Sequence, residues 1–414
     1  MKRLLILGSV EDFTCLTKQA VDRGIYTVVV DAAHYGEAKK IACKAYDVAI
    51  DDRDGINSII RFEKIDHVLT SFSDNLYEYS VNYSVDNGLP TNIAYDKVRY
   101  LRDKILMKKM FAELGIPTAR AQKIDIDNCS AESLELQYPL ILKPFDGWGS
   151  KGMYVVNSFD EIKSAMYISA SYSTTPTTAM VEERNIGKEI NAMTWVKDGT
   201  VTFVELGDRE TSGGSSKNLP YPSREIFPAV YYDEIVDTIR NYVLKVSEYV
   251  GMTEGPISIQ LFYDHASKKL SVGEVAGRFF GLGQGVTPLI NGVDINTLLL
   301  NMVYDPEKNW GELKHYEKGN DHCSFDLHIT PLAGVVRDLG NIGDFVNNPH
   351  VIESTIYAYP GVSTKLIPYI IRLYCRFETR EEADAFTDDV YGNIFVPGLD
   401  GQNLCRSFER PVYD

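Results

Sequence analysis

Two strand-like segments carry an amide and a carboxylate at matching positions. The segments cover residues 255–263 and 270–278, and the polar residues between them predict a hairpin connection. A hairpin centred near Ser267 pairs Gln260 with Glu274 and brings their Cβ atoms to about 5 Å on one face of the sheet. Oxygen ligands of this kind suit a hard divalent cation that also binds nucleotide phosphates. Gln260 and Glu274 are therefore the predicted metal ligands.

An arginine follows the predicted glutamate ligand along the same strand. Alternation places Ala276 and Arg278 on the face that carries Glu274, with the arginine about 13 Å from the metal at ~3.3 Å per residue. A planar guanidinium there could hold a carboxylate, or the phosphoryl group passing to it. The next residues, 279–285, include three glycines and favour a binding turn. The alternative interpretation of the Gln–Glu pair is a polar cross-strand contact on a solvated face.

A lysine ends another predicted strand, which covers residues 138–144. The turn after Lys143 contains candidate phosphate-binding residues, namely Gly147, Gly149, Ser150 and Gly152. Glycines allow backbone N–H groups to approach phosphate oxygens. The pattern is not a P-loop, because Met and Tyr and then a strand follow the last glycine. We therefore expect residues 145–152 to form the tip of a β-hairpin, with a flexible solvated turn as the alternative.

The first 90 residues must supply the scaffold that precedes these candidates. Strand-like and helical patterns alternate there over residues 4–7, 13–23, 26–30, 56–62, 67–69 and 76–87. This alternation is typical of βαβ units and predicts a parallel sheet. Gly8 and Asp31 mimic a dinucleotide site, but the glycine fingerprint is missing because the next glycine after Gly8 is Gly24. A nicotinamide-dependent dehydrogenase is therefore disfavoured.

Further helices and strands enclose the candidate lysine. Helices are predicted over residues 97–115, from Phe159 after the capping pair Ser158 and Glu161, and up to Gly251. Further strands are predicted over residues 152–157, 179–183, 190–197, 200–206 and 370–377. Residues 207–224 contain three glycines and two prolines and predict a mobile loop. The loop's basic residues, which could meet an anionic substrate, are interpreted as solvated charges: Arg209, Lys217 and Arg224.

The bulk composition limits the classes of partner. A chain of 414 residues with 44% apolar content can form two to three domains, and its formal charge of -16 disfavours nucleic-acid and anionic-membrane surfaces. Six cysteines without metal-site spacing favour a reducing, cytoplasmic location. The opening residues 1–7 predict a strand rather than a signal peptide, because acidic residues follow almost at once. No apolar run approaches the ~20 residues of a membrane helix.

Taken in their order along the chain, the motifs from Gly8 to about Met302 resemble those of the ATP-grasp superfamily. The segment from Asp103 through Lys108 to Thr118 resembles the start of the family's nucleotide-clamping lobe. Residues 181–189 resemble its hinge. The resemblance implies a set of nucleotide contacts: Lys104, Lys143 and the loop 145–152 at the phosphates, Glu182, Glu183 and Asn185 around adenine, and Glu189 at the ribose.

The resemblance also implies that Gln260 and Glu274 bind Mg²⁺ and that Arg278 lies on the substrate side, where it would act in catalysis together with Lys143. One or two metal ions are expected, and Mn²⁺ could substitute. One position departs from the pattern: many relatives have Asn where this chain has Ala276, although some branches also carry Ala. The departure puts the second metal ion in doubt.

The implied architecture is an N-terminal Rossmann-like α/β domain over residues 1–95, a two-lobed ATP-grasp domain over 96–310 with its clamp at about 118–190, and a C-terminal α+β lobe over 311–414. The implied function is an ADP-forming ligase that activates a carboxylate as an acyl phosphate and joins it to an amine, with small-molecule substrates and a homodimer as family-level expectations. The alternatives are a reaction of bicarbonate, as in biotin carboxylase or carbamoyl-phosphate synthase, a phosphoribosylamine–glycine ligase, and a nucleotide-binding protein without catalysis.

Overall fold

A parallel sheet forms the first part of the chain in the computed structural model, which describes residues 1–125, 127–146, 152–173, 175–215, 219–281, 283–313 and 322–413. Its elements are β1 (Arg3–Leu7), α1 (Thr14–Asp22), β2 (Tyr26–Asp31), α2 (Glu37–Ile41), β3 (Lys44–Asp47), α3 (Arg53–Glu63), β4 (His67–Leu69) and α4 (Asp74–Asp86). The strand order is β3-β2-β1-β4, and all three pairings are parallel. The predicted Rossmann-like sheet is confirmed. Strand β3 was missed because it is short and lacks a buried apolar run.

A four-stranded antiparallel sheet follows and forms the lobe that carries Lys143. Helix α5 (Lys104–Leu114) precedes it and packs through Met107, Met110 and Phe111 on the core of the large sheet that follows. The elements of the lobe are β5 (Ala121–Asp125), β6 (Leu140–Pro144), β7 (Tyr154–Val156), α6 (Phe159–Ala170) and β8 (Thr178–Glu183), in the strand order β5-β8-β6-β7. One face of the sheet packs on α6, because alternate residues of β6 and β8 are apolar and buried. Helix α6 begins at Phe159, as predicted, because the Ser158 side chain accepts a hydrogen bond from the Glu161 amide.

An eight-stranded antiparallel sheet dominates the rest of the chain. Its elements are β9 (Lys188–Lys197), β10 (Thr200–Ser212), β11 (Tyr221–Phe227), α7 (Tyr232–Val250), β12 (Glu254–Asp264), β13 (Lys269–Ala276), α8 (Gly283–Asn291), α9 (Ile295–Tyr304), α10 (Pro306–Leu313), β14 (Cys323–Ile329), α11 (Ile342–Val346), β15 (Val351–Ile356), β16 (Ile371–Phe377) and α12 (Arg380–Asn393). The strand order is β13-β12-β9-β10-β11-β14-β16-β15. The sheet runs through the predicted boundary at residue 310, and the domain limits stay a prediction. Across the described ranges, no helix is both long and apolar enough to span a bilayer.

The predicted helix over residues 97–115 is wrong in extent. A 3₁₀ helix covers Tyr95–Leu101, and α5 begins separately at Lys104. The break arises because the Asp103 carboxylate accepts hydrogen bonds from the amides of Ile105 and Leu106, at 2.9 and 3.1 Å, and so caps a new helix. Lys104 therefore occupies the first position of a helix rather than its middle.

The predicted mobile loop over residues 207–224 is also wrong in extent. Strand β10 continues to Ser212 and β11 begins at Tyr221, and Glu210 pairs with Arg224 across them. The Arg224 side chain is fully buried and forms a bidentate ion pair with Glu210 at 2.8 and 3.0 Å. It also contacts Asp384 of α12 at 2.7 Å. The charged residues are thus sheet residues with ionic partners, while Lys217 lies outside the described ranges.

Replacing Arg224 by Ala should destabilise the fold strongly. The substitution removes a buried cation from Glu210, which then keeps only Arg380 at 3.0 Å, and breaking a buried ion pair typically costs about 3–5 kcal/mol. The control is Arg337→Ala, because Arg337 forms an ion pair with Asp338 at 3.0 Å in which both side chains are about half exposed. That change should cost less than about 1 kcal/mol. Urea and thermal unfolding of both variants provide the measurement, and equal losses would contradict the structural role of Arg224.

Candidate active site

The β12–β13 hairpin places Gln260 directly opposite Glu274, as the sequence predicted. The pairing depends on a β-bulge, because Leu261 pairs with Val272 and the register then shifts by one residue at Gly273. Val272 and Val275 both face the apolar core although they are three residues apart. The extra residue therefore turns Glu274 to the face of the sheet opposite the core.

Glu189, the predicted ribose contact, is hydrogen-bonded to Gln260, a predicted metal ligand. Its carboxylate accepts hydrogen bonds from the Gln260 amide and from the Arg209 guanidinium. Arg209 also lies 3.5 Å from Glu225, which accepts a hydrogen bond from the Asn191 amide at 2.8 Å. Burial raises the pKa of Glu225, and Arg209 opposes that shift. Arg209 and Glu225 are functional candidates that the sequence analysis had missed or interpreted as solvated.

Lys143 lies in a buried cluster of lysines around one carboxylate. Strand pairing sets Lys143 opposite Met180, so that its side chain shares a face of the sheet with Glu182. Glu182 is 3% exposed and forms ion pairs with both Lys143 and Lys108. Although burial acts to raise it, the two ammonium groups hold the pKa of Glu182 below its usual value. Glu182, a predicted adenine contact, is therefore also the counter-ion of Lys143, the predicted phosphate-binding lysine.

Glu274, one of the two predicted metal ligands, acts on the charge of two lysines, Lys104 and Lys108. Burial lowers the pKa of Lys104, and the Glu274 carboxylate opposes that shift. Burial likewise lowers the pKa of Lys108, against which Glu182 and then Glu274 act. Lys108 lies four residues after Lys104 on α5, so the two side chains share one face of the helix. That spacing was visible in the sequence and could have added Lys108 to the candidate set.

Two hinge candidates lie in different places. Glu183 faces away from Glu182, because neighbouring strand residues point to opposite faces, and its carboxylate lies 3.4 Å from Arg120. The structure therefore does not bring the Glu183 side chain to the lysine cluster. Asn185 accepts a hydrogen bond from the Ser271 hydroxyl at 3.3 Å and joins the hinge to the β12–β13 hairpin. The roles of both residues at adenine stay predictions.

The strands on either side of the glycine-rich segment, β6 and β7, pair antiparallel, as the predicted hairpin requires. Gly152 has φ +70°, a conformation that glycine adopts without strain. Phe145, at the start of the turn, accepts a backbone hydrogen bond from Lys104 at 2.8 Å. The turn thus begins beside the first residue of α5. The other turn candidates, Gly147, Gly149 and Ser150, lie outside the described residues.

Arg278 contacts the N-terminal sheet domain. Its Nε and Nη2 donate to the two carboxylate oxygens of Asp74 at 2.8 and 2.6 Å. Its Nη1 donates to the Phe279 carbonyl at 3.1 Å, and the ring of Phe280 lies 5.6 Å from the guanidinium. Asp74 was missed because it is 204 residues away in sequence. The predicted substrate-side arginine is therefore held at the junction of two domains.

The residues fit a magnesium nucleotide. Within the described ranges, no group of three or more His, Cys, Asp or Glu residues could hold a metal alone. Mg²⁺ commonly takes one or two protein ligands and completes its shell with water and phosphate oxygens, which matches a Gln–Glu pair. Lys108 and Lys143 form ion pairs with the buried Glu182, and Lys104 lies close enough for Glu274 and Glu182 to act on its pKa, so three ammonium groups are available to phosphates.

This arrangement of a parallel-sheet domain, a small antiparallel lobe with buried lysines and a large sheet with a Gln–Glu pair defines a protein of the ATP-grasp fold. Residues 103–303 match the family model described as carbamoyl-phosphate synthase L chain, ATP binding domain. The matched range includes the lysine cluster, the predicted hinge at residues 181–189 and the Gln260–Glu274 pair. Residues 103–303, just under half of the chain, are thus similar to the ATP-binding domain of that family.

Known proteins similar to this chain include two sequence relatives and a solved structure. An ATP-grasp enzyme of Aspergillus fumigatus is 29% identical over 167 residues, which are 40% of this chain and 28% of that protein. A D-alanine–D-alanine ligase of Wolbachia pipientis is 23% identical over 223 residues, which are 52% of this chain and 69% of that protein. The crystal structure of an L-amino acid ligase from Bacillus licheniformis has a TM-score of 0.79 at 17% identity, covering 96% of this chain and 98% of that one. The structural likeness extends the shared fold to nearly the whole chain.

Replacing Lys143 by Ala should lower kcat/KM for ATP by about 100-fold or more, because a buried cation at the transferring phosphate is lost. The control is Lys163→Ala, since Lys163 is an exposed residue of α6 in the same lobe. ADP release is the measurement, with circular dichroism to verify folding. Normal turnover by a folded Lys143→Ala variant would remove Lys143 from the phosphate site.

Replacing Glu274 by Ala should abolish the effect of Mg²⁺ on nucleotide affinity. Binding of ADP without the metal should persist, because the substitution removes a negative charge from the neighbourhood of the phosphates. The control is Asp264→Ala at the turn of the same hairpin, where Asp264 accepts a hydrogen bond from Ser267 at 2.6 Å. Calorimetric titration with ADP, with and without Mg²⁺, measures the effect. A Glu274→Ala variant that still responds to Mg²⁺ like the wild type would contradict the assignment.

Proposed function

We propose that the protein is an ATP-dependent, ADP-forming ligase that activates a substrate carboxylate as an acyl phosphate and joins it to an amine, which an amino acid can supply. The observation that carries the proposal is the proximity of α5 to the strand of Glu274: Lys108 donates to the Thr118 hydroxyl, which donates to the Val272 carbonyl of β13. Glu274 also opposes the lowering of the pKa values of Lys104 and Lys108 by burial. The proposed phosphate-binding cations thus lie near the proposed metal ligands. The names of the similar ligases add support.

The proposed phosphoryl transfer depends on positioning and on neutralisation of charge. A carboxylate oxygen of the substrate attacks the γ-phosphorus, the bond from that phosphorus to the β,γ-bridging oxygen breaks, and ADP leaves. Lys143 and Lys104 hold the phosphates, and Arg278 orients the carboxylate or the transferred phosphoryl group. Mg²⁺ bound at Gln260 and Glu274 would neutralise charge on the phosphate oxygens.

The second proposed step forms the amide bond. The neutral amine attacks the acyl carbon, the bond to the phosphate oxygen breaks, inorganic phosphate leaves and the amine loses a proton. Exclusion of water protects the acyl phosphate from hydrolysis. Lys143 and Lys108 are 11% and 13% exposed in their side chains, which indicates that the cluster is already largely closed to solvent.

The metal site is proposed to hold one Mg²⁺ ion firmly. Ala276 pairs with Ser258 and is 5% exposed, and its methyl group offers no ligand where many relatives have Asn. We therefore expect a second ion to bind weakly or not at all. Replacement by Mn²⁺, a homodimer and a cytoplasmic location remain predictions. The dimer can be tested by light scattering.

A screen for ADP and phosphate release tests the function directly. The screen covers pairs of amino acids, small carboxylic acids, bicarbonate, and glycine with phosphoribosylamine. We expect release that requires both a carboxylic acid and an amine, with the amide product identified by mass spectrometry and lost in Lys143→Ala. Release that requires only bicarbonate, or that requires phosphoribosylamine, would favour the corresponding alternative. Nucleotide binding without release under every condition would favour the non-catalytic alternative.

A further inference from the structure

The Asp74–Arg278 ion pair joins the N-terminal sheet domain to the candidate site. Both side chains are largely withdrawn from solvent, at 19% and 15% exposure. Three of the five guanidinium N–H groups are engaged in the described contacts, two with Asp74 and one with Phe279. A bidentate contact of this kind fixes the plane of the guanidinium as well as its place. Arg278 therefore cannot change rotamer without breaking both hydrogen bonds.

Asp74 is itself held rigidly. It is the first residue of α4, and the helix is capped by Ser73, whose hydroxyl accepts from the Leu76 amide. A carboxylate in the first helical turn is also favoured by the helix dipole. One turn later, Glu78 forms an ion pair with Arg102 at 2.5 Å, just before α5. The N-terminal end of α4 thus contacts both Arg102, just before α5, and Arg278, just after β13.

The carboxylate of Asp74 also acts on one lysine of the candidate site. Burial lowers the pKa of Lys104, and Asp74 is among the carboxylates that oppose this shift, after Glu274.

We propose that Asp74 is a positioning residue, which aims the Arg278 guanidinium at the carboxylate or phosphoryl group that passes through the site. The proposal rests on the proposed function for the identity of that group. An arginine that is free to rotate would lose side-chain entropy on each turnover. The contact with Asp74 removes that cost before substrate binds.

The test compares three variants of α4. Asp74→Asn keeps the shape and removes the charge, whereas Asp74→Glu keeps the charge on a longer side chain. The matched control is Asp86→Asn, because Asp86 ends the same helix and accepts a bidentate ion pair from Arg53. All three variants are measured for thermal stability, affinity for ADP, kcat, and KM for the carboxylate substrate.

We expect Asp74→Asn to lower kcat/KM for the carboxylate substrate by about 100-fold, the loss typical of a catalytic group misplaced by ~1 Å. ADP affinity should change far less than kcat/KM, because Lys108 and Lys143 keep their contacts with Glu182. Asp74→Glu should recover part of the loss, and Asp86→Asn should behave like the wild type. Wild-type kcat/KM in Asp74→Asn would overturn the proposal. So would equal losses in Asp74→Asn and Asp86→Asn, since these would indicate a purely structural role.

A second measurement does not depend on turnover. The Nε–H of Arg278, identified by its disappearance in Arg278→Lys, should give an ordered ¹⁵N–¹H NMR signal that exchanges slowly in the wild type and in Asp86→Asn. The signal should exchange rapidly in Asp74→Asn, and an unchanged signal would overturn the positioning role. Failure of the wild type to form any amide would count against the proposed function, whereas the NMR result would still decide the role of Asp74.

Discussion

The extra residue Gly273 in β13 determines which face of the large sheet carries Glu274, the acidic residue of the predicted metal-binding pair. Without the bulge, strict alternation would turn Glu274 towards the core position that Val275 occupies, and an unpaired carboxylate there is strongly unfavourable. The apolar faces of Val272 and Val275 therefore enforce the bulge as much as the turn does. Gly273 also suits the place, because a Cβ atom there would approach the Phe262 ring to 3.0 Å. Core packing and the geometry of the site are thus one constraint.

The cations of the site are neutralised by carboxylates from different elements. Glu182 of β8 contacts the lysines, Glu189 of β9 contacts Arg209, and Asp74 of α4 contacts Arg278. Buried charges need such partners because desolvation of an unpaired ion costs several kcal/mol. An anionic nucleotide therefore meets cations that are already withdrawn from water and held by carboxylates. The cations therefore keep a defined geometry before the ligand arrives.

The sequence predicted the parts of the site that are local. Gln260 and Glu274 lie on one hairpin, so the position of the turn predicted their pairing, although the bulge at Gly273 that produces it was not predicted. Asp74 could not be found in this way, because 204 residues separate it from Arg278 and only the packing of two domains brings them together.

The larger errors concern buried charge. Polar residues with glycines and prolines normally indicate a loop, and this pattern concealed the continuation of β10 to Ser212 and the start of β11 at Tyr221. Arg224 belongs to the sheet because Glu210 and Asp384 neutralise it, and Asp384 comes from α12, 160 residues later. In the same way, Asp103 divided a continuous helical pattern because its carboxylate caps α5. The distant partner of Arg224 becomes visible only in three dimensions, whereas the Asp103 cap is local.

The connections between the lobes indicate which of them can move to admit a ligand. Strand β11 pairs with β14 over four residue pairs, including Glu225 opposite Asp326, and Asp326 is fully buried with an ion pair to Arg372. Displacing the C-terminal strands would break this ladder and separate buried charges. The lobe formed by β5 to β8 is a separate sheet, and in the described part of the chain it meets the large sheet through a few contacts, such as the Thr118–Val272 bridge and the Asn185–Ser271 hydrogen bond. Movement of this lobe would break the buried Lys108–Glu182 ion pair but no strand ladder of the large sheet, and it would carry Lys143 and Glu182 relative to the Gln260–Glu274 pair.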